Sequence, residues 1–394
     1  MKKIILLSIS FLLVTACSGQ IFKDDLSKKL TKIQKQSNLP GFAIAVVSQD
    51  SVLFSEGFGL ADRAKKTPYT TQTIQPIASV SKTFIGLALM KSIELGYFTL
   101  ETNINEVLPF KVINPNFPNE NIKIKHLATH TSSLIENIDR YQKTYQLEKK
   151  PTVALKDFVK DYYATDGKYY KTENFSTAKI GSKYEYSNIA SALMAYIIEY
   201  KSGMLFSEFT NKYIFEPLKM QNTNWFYNEK LSDKYATLYM VNEPEIELEN
   251  LLLNKDKSLK TYSNIVYPDG SLKTSVADLT LYLQAMIKGF NGKENTIITS
   301  NSYKTLFEAQ FNETTMPTDM DKREPIRAIF WSYTKSGNLR HTGSDAGVFA
   351  FISFNPKTGL GRIMTMNTAL EGRENSKAVE NFKKIIAVLD EFDH

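Results

Sequence analysis

The chain reads as an α/β protein of the α+β type: an antiparallel sheet flanked by terminal helices, with a mainly helical domain inserted into it. Three observations carry that expectation. Apolar runs with strand texture lie at both ends, 42–47 and 52–54 early and 348–354 and 362–366 late. Stretches with helical spacing, such as 189–200 and 275–287, fill the middle. The last segment places Val379, Phe382, Ile385, Ile386 and Leu389 on an amphipathic helix that needs a sheet or helix to cover.

In chain order, Met1-Lys2-Lys3 precedes an apolar run from Ile4 to Val14 and then Thr15-Ala16-Cys17, the layout of an export leader. The end of that leader resembles the bacterial lipoprotein box. This implies a signal peptide over 1–16, lipid modification at Cys17, a lipid-attached tether over 17–25, and a lipid membrane as partner. The expected address is the bacterial cell envelope, lipid-anchored, facing the periplasm or the cell surface. Cys17 is the sole cysteine, which excludes a disulfide within the chain and a Cys-rich metal site.

Leu26, Leu30 and Ile33 then recur at helical spacing until Asn38-Leu39-Pro40-Gly41 closes the segment. The run 42–47, a turn at Gln49-Asp50-Ser51 and the run 52–54 before Gly57 and Gly59 predict a β-hairpin. Two polar stretches, 166–183 and 312–325, have the composition of long loops. Strands are expected over 328–333 and 339–342 around a turn at Lys335-Ser336-Gly337-Asn338, and over 348–354 and 362–366 around Asn355-Pro356-Lys357-Thr358-Gly359. The sheet portion would comprise about 26–77 and 294–394, and the helical insert about 78–293.

Chemistry concentrates at Ser79. Val80, Phe84, Leu87, Leu89 and Ile93 predict a helix ending at Gly96, with Ser79 and Lys82 three apart and therefore on one side of its first turn. A serine hydroxyl attacks only when a base removes its proton, and a lysine desolvated in a cleft can serve. The N–H of Ser79 at the helix start is a candidate oxyanion donor. Ser-x-x-Lys also occurs at Ser176/Lys179 and Ser332/Lys335, the first in a polar stretch, the second in an expected strand where a three-residue step separates the faces.

A second element is Tyr184-Glu185-Tyr186-Ser187-Asn188, just before an apolar helix. A phenol there could relay the Ser79 proton, and an amide could orient substrate and lysine. Tyr262-Ser263-Asn264 competes for this role on the residues alone. The third is Arg340-His341-Thr342-Gly343-Ser344-Asp345-Ala346-Gly347, where the N–H of Ser344 is a candidate second oxyanion donor and His341 and Thr342 could meet a substrate carboxylate. Gly343 and Gly347 would allow a ligand close to the backbone.

In this order the three elements resemble the serine β-lactamase and penicillin-binding protein superfamily, in its class C β-lactamase, D-alanyl-D-alanine carboxypeptidase and family VIII esterase branch. The resemblance runs from about Leu39 to Asn367. It also rests on Pro40-Gly41, Gly57-Phe58-Gly59, His130-Thr131-Ser132, Phe215-Glu216-Pro217-Leu218 with Met220 and Thr223, and Gly270-Ser271-Leu272-Lys273-Thr274-Ser275 with Asp278-Leu279. It implies a β-lactamase/transpeptidase-like fold over 26–394, with Ser79 acylated, Lys82 its partner and Tyr186 general base and acid. Asn188, His341, Thr342 and Gly343 would contact substrate, and no cofactor or metal would be required. It selects Tyr186 over Tyr262, because the run from Ile197 to Gly203 after Tyr186 also resembles the family.

The chain departs from that pattern in places. His341 stands where class C β-lactamases typically carry lysine, Ser133 follows Ser132 where glycine is frequent, Lys219 takes a usual glycine position, and Pro268-Asp269 precedes Gly270. His341 leans the expected substrate, a small molecule or peptide, toward D-amino-acid peptides or esters, with β-lactams as the alternative. A non-catalytic peptidoglycan- or partner-binding protein on the same fold is the reading from another class. His126 and His130, four apart, suggest a metal pair but without the Glu of His-Glu-x-x-His, and Gly-x-Ser-x-Gly does not occur. The formal charge of +6, or +4 without Lys2 and Lys3, is too small to imply nucleic acid.

Overall fold

The computed structural model describes residues 21–241, 247–293, 297–370 and 377–393; the leader over 1–16 and the expected lipidation site Cys17 lie outside them. A helix over residues 21–36, α1, opens the described chain. Its first turns take in residues 21–25, which the sequence reading assigned to a tether. The reason is Phe22, one helical turn before Leu26, which packs edge-on against Phe392 at 5.2 Å. No helix among the described residues is long and apolar enough to cross a membrane.

Strands β1, Gly41–Val47, and β2, Val52–Asp62, form the expected hairpin. Helices α2, Ser81–Glu94, α3, Asn188–Ser202, and α4, Val276–Phe290, follow. The chain returns through β3, Leu339–Asp345, β4, Val348–Phe354, and β5, Gly361–Met366, and ends on α5, Lys377–Leu389. With three two-residue strands these make an eight-stranded antiparallel sheet in the order Thr67–Pro68, β2, β1, β5, β4, β3, Ser332–Tyr333, Ile326–Arg327. β1 lies against β5, with Phe42 opposite Met366 and Ile44 opposite Met364, so the first and last long strands are neighbours.

The two faces of β1 follow its period of two. Phe42, Ile44 and Val46 join Leu26 and Leu30 of α1 and Ile385 and Leu389 of α5 on the outer face. Ala43, Ala45 and Val47 face the helices, in the cluster that includes Leu283 and Ile287 of α4 and Phe84 of α2. Helix α2 is buried on nearly every side, which is why its apolar residues follow no single stripe in the sequence. Phe84 stacks on Tyr282 at 4.0 Å.

One expected strand is mostly absent. Of 328–333 only Ser332–Tyr333 pairs in the sheet. Phe330 takes φ +51°, its N–H goes to Ala128 O and that of Ile329 to Leu306 O. The apolar run is a buried plug in the helical core, and a run of four apolar residues reads the same in either setting. The two polar stretches meet: Thr318 N–H donates to Ser182 O and Tyr184 N–H to Thr318 O, both at 2.9 Å, with Lys183 Nζ 3.0 Å from Glu185 and 3.6 Å from Asp319.

Candidate active site

The chain enters α2 through a single 3₁₀ turn, Ala78–Val80. Ala78 adopts φ +43°, a conformation costly for alanine, and the strain sits immediately before Ser79. Strand β3 runs hard against this turn. A Cβ built on Gly343 would stand 2.4 Å from Ile77 O and 2.8 Å from Ser79 N, so only glycine fits. The close approach that the glycines permit is therefore by the protein itself, the Ser79 turn at Gly343 and the Leu259 and Leu238 side chains at Gly347.

Lys82 is fully buried and makes three contacts through Nζ: to Ser79 Oγ at 3.1 Å, Asn188 Oδ1 at 2.6 Å and Asp269 O at 2.8 Å. Asn188 opens α3, where Ser187 Oγ caps the helix by accepting from Ala190 N–H. Glu136, unremarked in the sequence, binds this same end. Its Oε2 accepts from Asn188 N–H at 2.8 Å and Ile189 N–H at 3.1 Å, and its Oε1 from Asn188 Nδ2 at 3.1 Å. That last bond fixes the amide so that Oδ1 faces Lys82. Burial first, then the neighbouring Asp269, pushes the Glu136 carboxyl above its ordinary range.

The departure at Pro268-Asp269 has a physical consequence: the turn Tyr267–Asp269 delivers the carbonyl that accepts from Lys82. The Asp269 side chain is buried and accepts from Tyr141 OH at 2.6 Å, and burial raises its pKa against the opposing effect of Lys82.

Tyr186 brings its ring centroid to 5.0 Å from Lys82 Nζ and stacks on His130 at 4.4 Å. His130 is held by edge contacts to Tyr184 and Phe330, and its Nδ1 accepts from Ser187 N–H. Burial, then the Lys82 charge, lowers its pKa well below the usual imidazole value, so the ring under Tyr186 is neutral. The string His130-Thr131-Ser132 and the four-residue spacing from His126 were the sequence signals for this residue, and neither pointed to a ring stacked under Tyr186.

On β3, His341 Nδ1 lies 2.7 Å from its neighbour's carbonyl, Thr342 O, and therefore carries the proton. Burial, then Lys82, lowers its pKa to about 4. His341 is thus a neutral ring with an Nε2 lone pair, unlike the lysine common at this place. Positive charge on this side comes instead from Arg340, the first residue of the third sequence element, and from Arg327, which no motif marked. Arg340 Nε donates to Glu324 Oε1 at 2.8 Å and Arg327 Nη1 to Glu324 Oε2 at 3.1 Å. Burial would raise the Glu324 pKa, but the two arginines outweigh it and hold it low.

Two cavities meet at Ser79 and Ser344. The smaller, about 230 Å³, is bordered by Glu136, Tyr141, Tyr145, Asn188, Asp269 and Asp345 among others. The larger, about 570 Å³, is bordered by Tyr186, Arg327, Arg340, His341 and Thr342 among others. Ser79, Lys82, Tyr186, Asn188 and the 341–344 segment thus lie together in space.

The competing motifs lie in other settings. Ser176 Oγ donates to Glu185, and Ser332 Oγ accepts from Arg327. Tyr262 OH donates to Ala346 O, and Asn264 Oδ1 accepts from Val266 N–H. His126 and His130 share no helical face, because the helix Ile124–Ala128 ends before His130, whose φ is +57°.

Known proteins show the same architecture. Penicillin-binding protein 4* of Bacillus subtilis (strain 168) is 27% identical over 241 residues, covering 60% of this chain and 49% of that protein. The chain spans 49% of that relative's length and 60% of the length of protein flp of Staphylococcus aureus (strain MW2), to which it is 22% identical over 340 residues, 84% of this chain. Among solved structures, EstCE1, a hydrolase with promiscuous acyltransferase activity, superposes with TM-score 0.70 at 18% identity, covering 93% of this chain and 99% of that one. A β-lactamase/D-alanine carboxypeptidase from Pseudomonas syringae gives TM-score 0.68 at 16% identity with the same coverage. At such identities the likeness shows the fold. The model of the Beta-lactamase family matches residues 26–382, nearly the whole described chain, and the chain belongs to that family.

Proposed function

We propose that the protein is a serine hydrolase that cleaves an amide or ester bond through an acyl-enzyme, acting on D-amino-acid peptides or on esters. The observation that carries the reading is the set of contacts at Lys82. Two of the three, Asn188 Oδ1 and Asp269 O, are carbonyl oxygens that only accept. With Ser79 Oγ, 3.1 Å away, they take the three hydrogens that Lys82 Nζ donates and hold it against the serine. The lysine is thereby held within reach of proton exchange with the serine hydroxyl.

In the proposed reaction the Ser79 Oγ–carbonyl bond forms as the carbonyl oxygen takes up charge between the N–H groups of Ser79 and Ser344. The bond to the leaving nitrogen or oxygen then breaks. The serine proton passes by way of Lys82 and Tyr186 to the leaving group, and water cleaves the resulting ester to release the acid and restore the hydroxyl. Tyr186 borders the larger cavity and Asn188 the smaller, so the leaving group lies on the arginine side and the acyl group on the Glu136 side.

The test is hydrolysis of a short-chain p-nitrophenyl ester, nitrocefin and a D-Ala-D-Ala peptide by the protein and by Ser79→Ala, with mass spectrometry of the intact chain. Turnover of at least one substrate, abolished in the variant, is expected. No turnover and no covalent adduct on Ser79 would move the protein to the non-catalytic binders of this fold.

A further inference from the structure

The two cavities that meet at Ser79 carry opposite charge. Around the larger stand Arg323, Arg327 and Arg340 against Asp321 and Glu324. Around the smaller stand Glu136, Glu249, Asp269 and Asp345, and among the described residues no lysine or arginine borders it. The neighbouring cations are engaged behind its wall. Lys82 makes the three contacts already described, and Lys273 donates to Trp225 O at 3.4 Å and Ser271 O at 3.2 Å.

The carboxylates are held rather than solvated. Asp345 Oδ1 accepts from Tyr145 OH at 2.9 Å and from Ala346 N–H at 2.8 Å. Asp269 is 1% exposed, accepts from Tyr141 OH through Oδ2, and keeps its Oδ1 without a hydrogen-bond partner. Four carboxyls around so small a space repel one another, and a cation entering it would relieve that repulsion. The walls suit one. Tyr141 and Tyr145 also border the cavity, their rings 5.8 Å apart and nearly perpendicular, and aromatic faces attract ammonium groups. At about 230 Å³ the space is below the usual range for a drug-sized ligand and suits a short acyl group.

We propose that the acyl half of the substrate carries an ammonium group, seated in the small cavity by Asp345 and Glu249 beside the Tyr141–Tyr145 pair, with the buried Asp269 adding its charge from the wall. The protein then acts on aminoacyl amides or esters in preference to neutral acyl compounds. This rests on the acyl-transfer reading above and names the substrate class it takes. The ammonium is either the α-amino group of an unblocked acyl residue or a side-chain amine of that same residue.

Three anilides separate these cases: D-alanyl-p-nitroanilide, N-acetyl-D-alanyl-p-nitroanilide and Nα-acetyl-D-lysyl-p-nitroanilide. With the intact protein, kcat/KM for at least one of the charged pair is expected to exceed that of the neutral compound by about tenfold or more, as for a partly buried ion pair. Which one exceeds it locates the amine. In Asp345→Asn, which keeps an acceptor for Tyr145 and Ala346 but removes the charge, the ratio should fall toward one. Glu249→Gln supplies the same comparison if the first variant does not fold, as judged by its melting curve. Equal or higher activity on the neutral anilide, abolished by Ser79→Ala, overturns the inference alone, as does an unchanged ratio in the folded variants. No Ser79-dependent turnover of any of the three, together with no adduct, overturns it along with the acyl-transfer reading.

Discussion

Glu136 does two jobs with two oxygens, and that division is testable. Oε2 takes the first N–H groups of α3, a structural duty, while Oε1 takes Asn188 Nδ2 and so points Oδ1 at Lys82. Glutamine has one acceptor for both duties. Glu136→Gln is expected to keep the helix end and a melting temperature close to that of the parent, but to let the Asn188 amide turn its nitrogen toward Lys82. Misplacing a catalytic lysine by such a flip costs about a hundredfold in rate. Acylation followed by stopped flow should show that loss in kcat with KM little changed, and retention of full kcat would remove Glu136 from the positioning set. Glu136→Ala should lose the melting temperature as well.

At the scale of the element, two departures from the family pattern turn out to be conformational. Ser133 and Lys219 stand where the family often has glycine, and both adopt left-handed φ here, +54° and +59°. The backbone keeps the conformation and the side chain bears the strain. Ser133 is buried and its Oγ accepts from Asn114 Nδ2 at 2.7 Å, a bond that glycine would forfeit. Lys219 is exposed at the end of the short helix Glu216–Leu218. Lys219→Gly should therefore stabilise the protein by about 1 kcal/mol, the relief of an αL residue less the added freedom of the unfolded chain. Urea denaturation would read the gain, and a loss would mean that the lysine makes a compensating contact.

For the whole molecule, buried imidazoles set the response to acid. His126 and His341 both have folded pKa values lowered to about 4 from an ordinary 6.5, each chiefly by burial. The unfolded chain therefore binds protons before the folded one does. Stability from these two groups is complete above about pH 6.5 and falls as the pH drops toward 4. Glu136 and Asp269, whose carboxyls are raised, work the other way at the lower end of that window, since the folded state protonates them first. The midpoint of thermal unfolding is expected to decline between pH 6.5 and 4, less steeply in His126→Asn, whose side chain can still accept from Lys123 N–H as Nδ1 does now. An equal slope in the variant would assign the acid response elsewhere.

The amino-acid sequence by itself determined what local spacing can encode. The three-residue step from Ser79 to Lys82 survives any packing because a helical turn imposes it. The alternation of Phe42, Ile44 and Val46 with Ala43 and Ala45 sets two faces wherever the strand is placed. The ordered strings around Ser79, Tyr186 and His341 were legible for the same reason, each being short and contiguous. Other features needed the folded chain. The carbonyl of Asp269, the carboxylate of Glu136 and the guanidinium group of Arg327 reach the site across more than fifty residues from Ser79, and no spacing rule links them to it. The same holds for charge: composition shows only an excess of +6, whereas its separation into an acidic and a basic cavity on either side of Ser79 depends on which loops tertiary packing brings together.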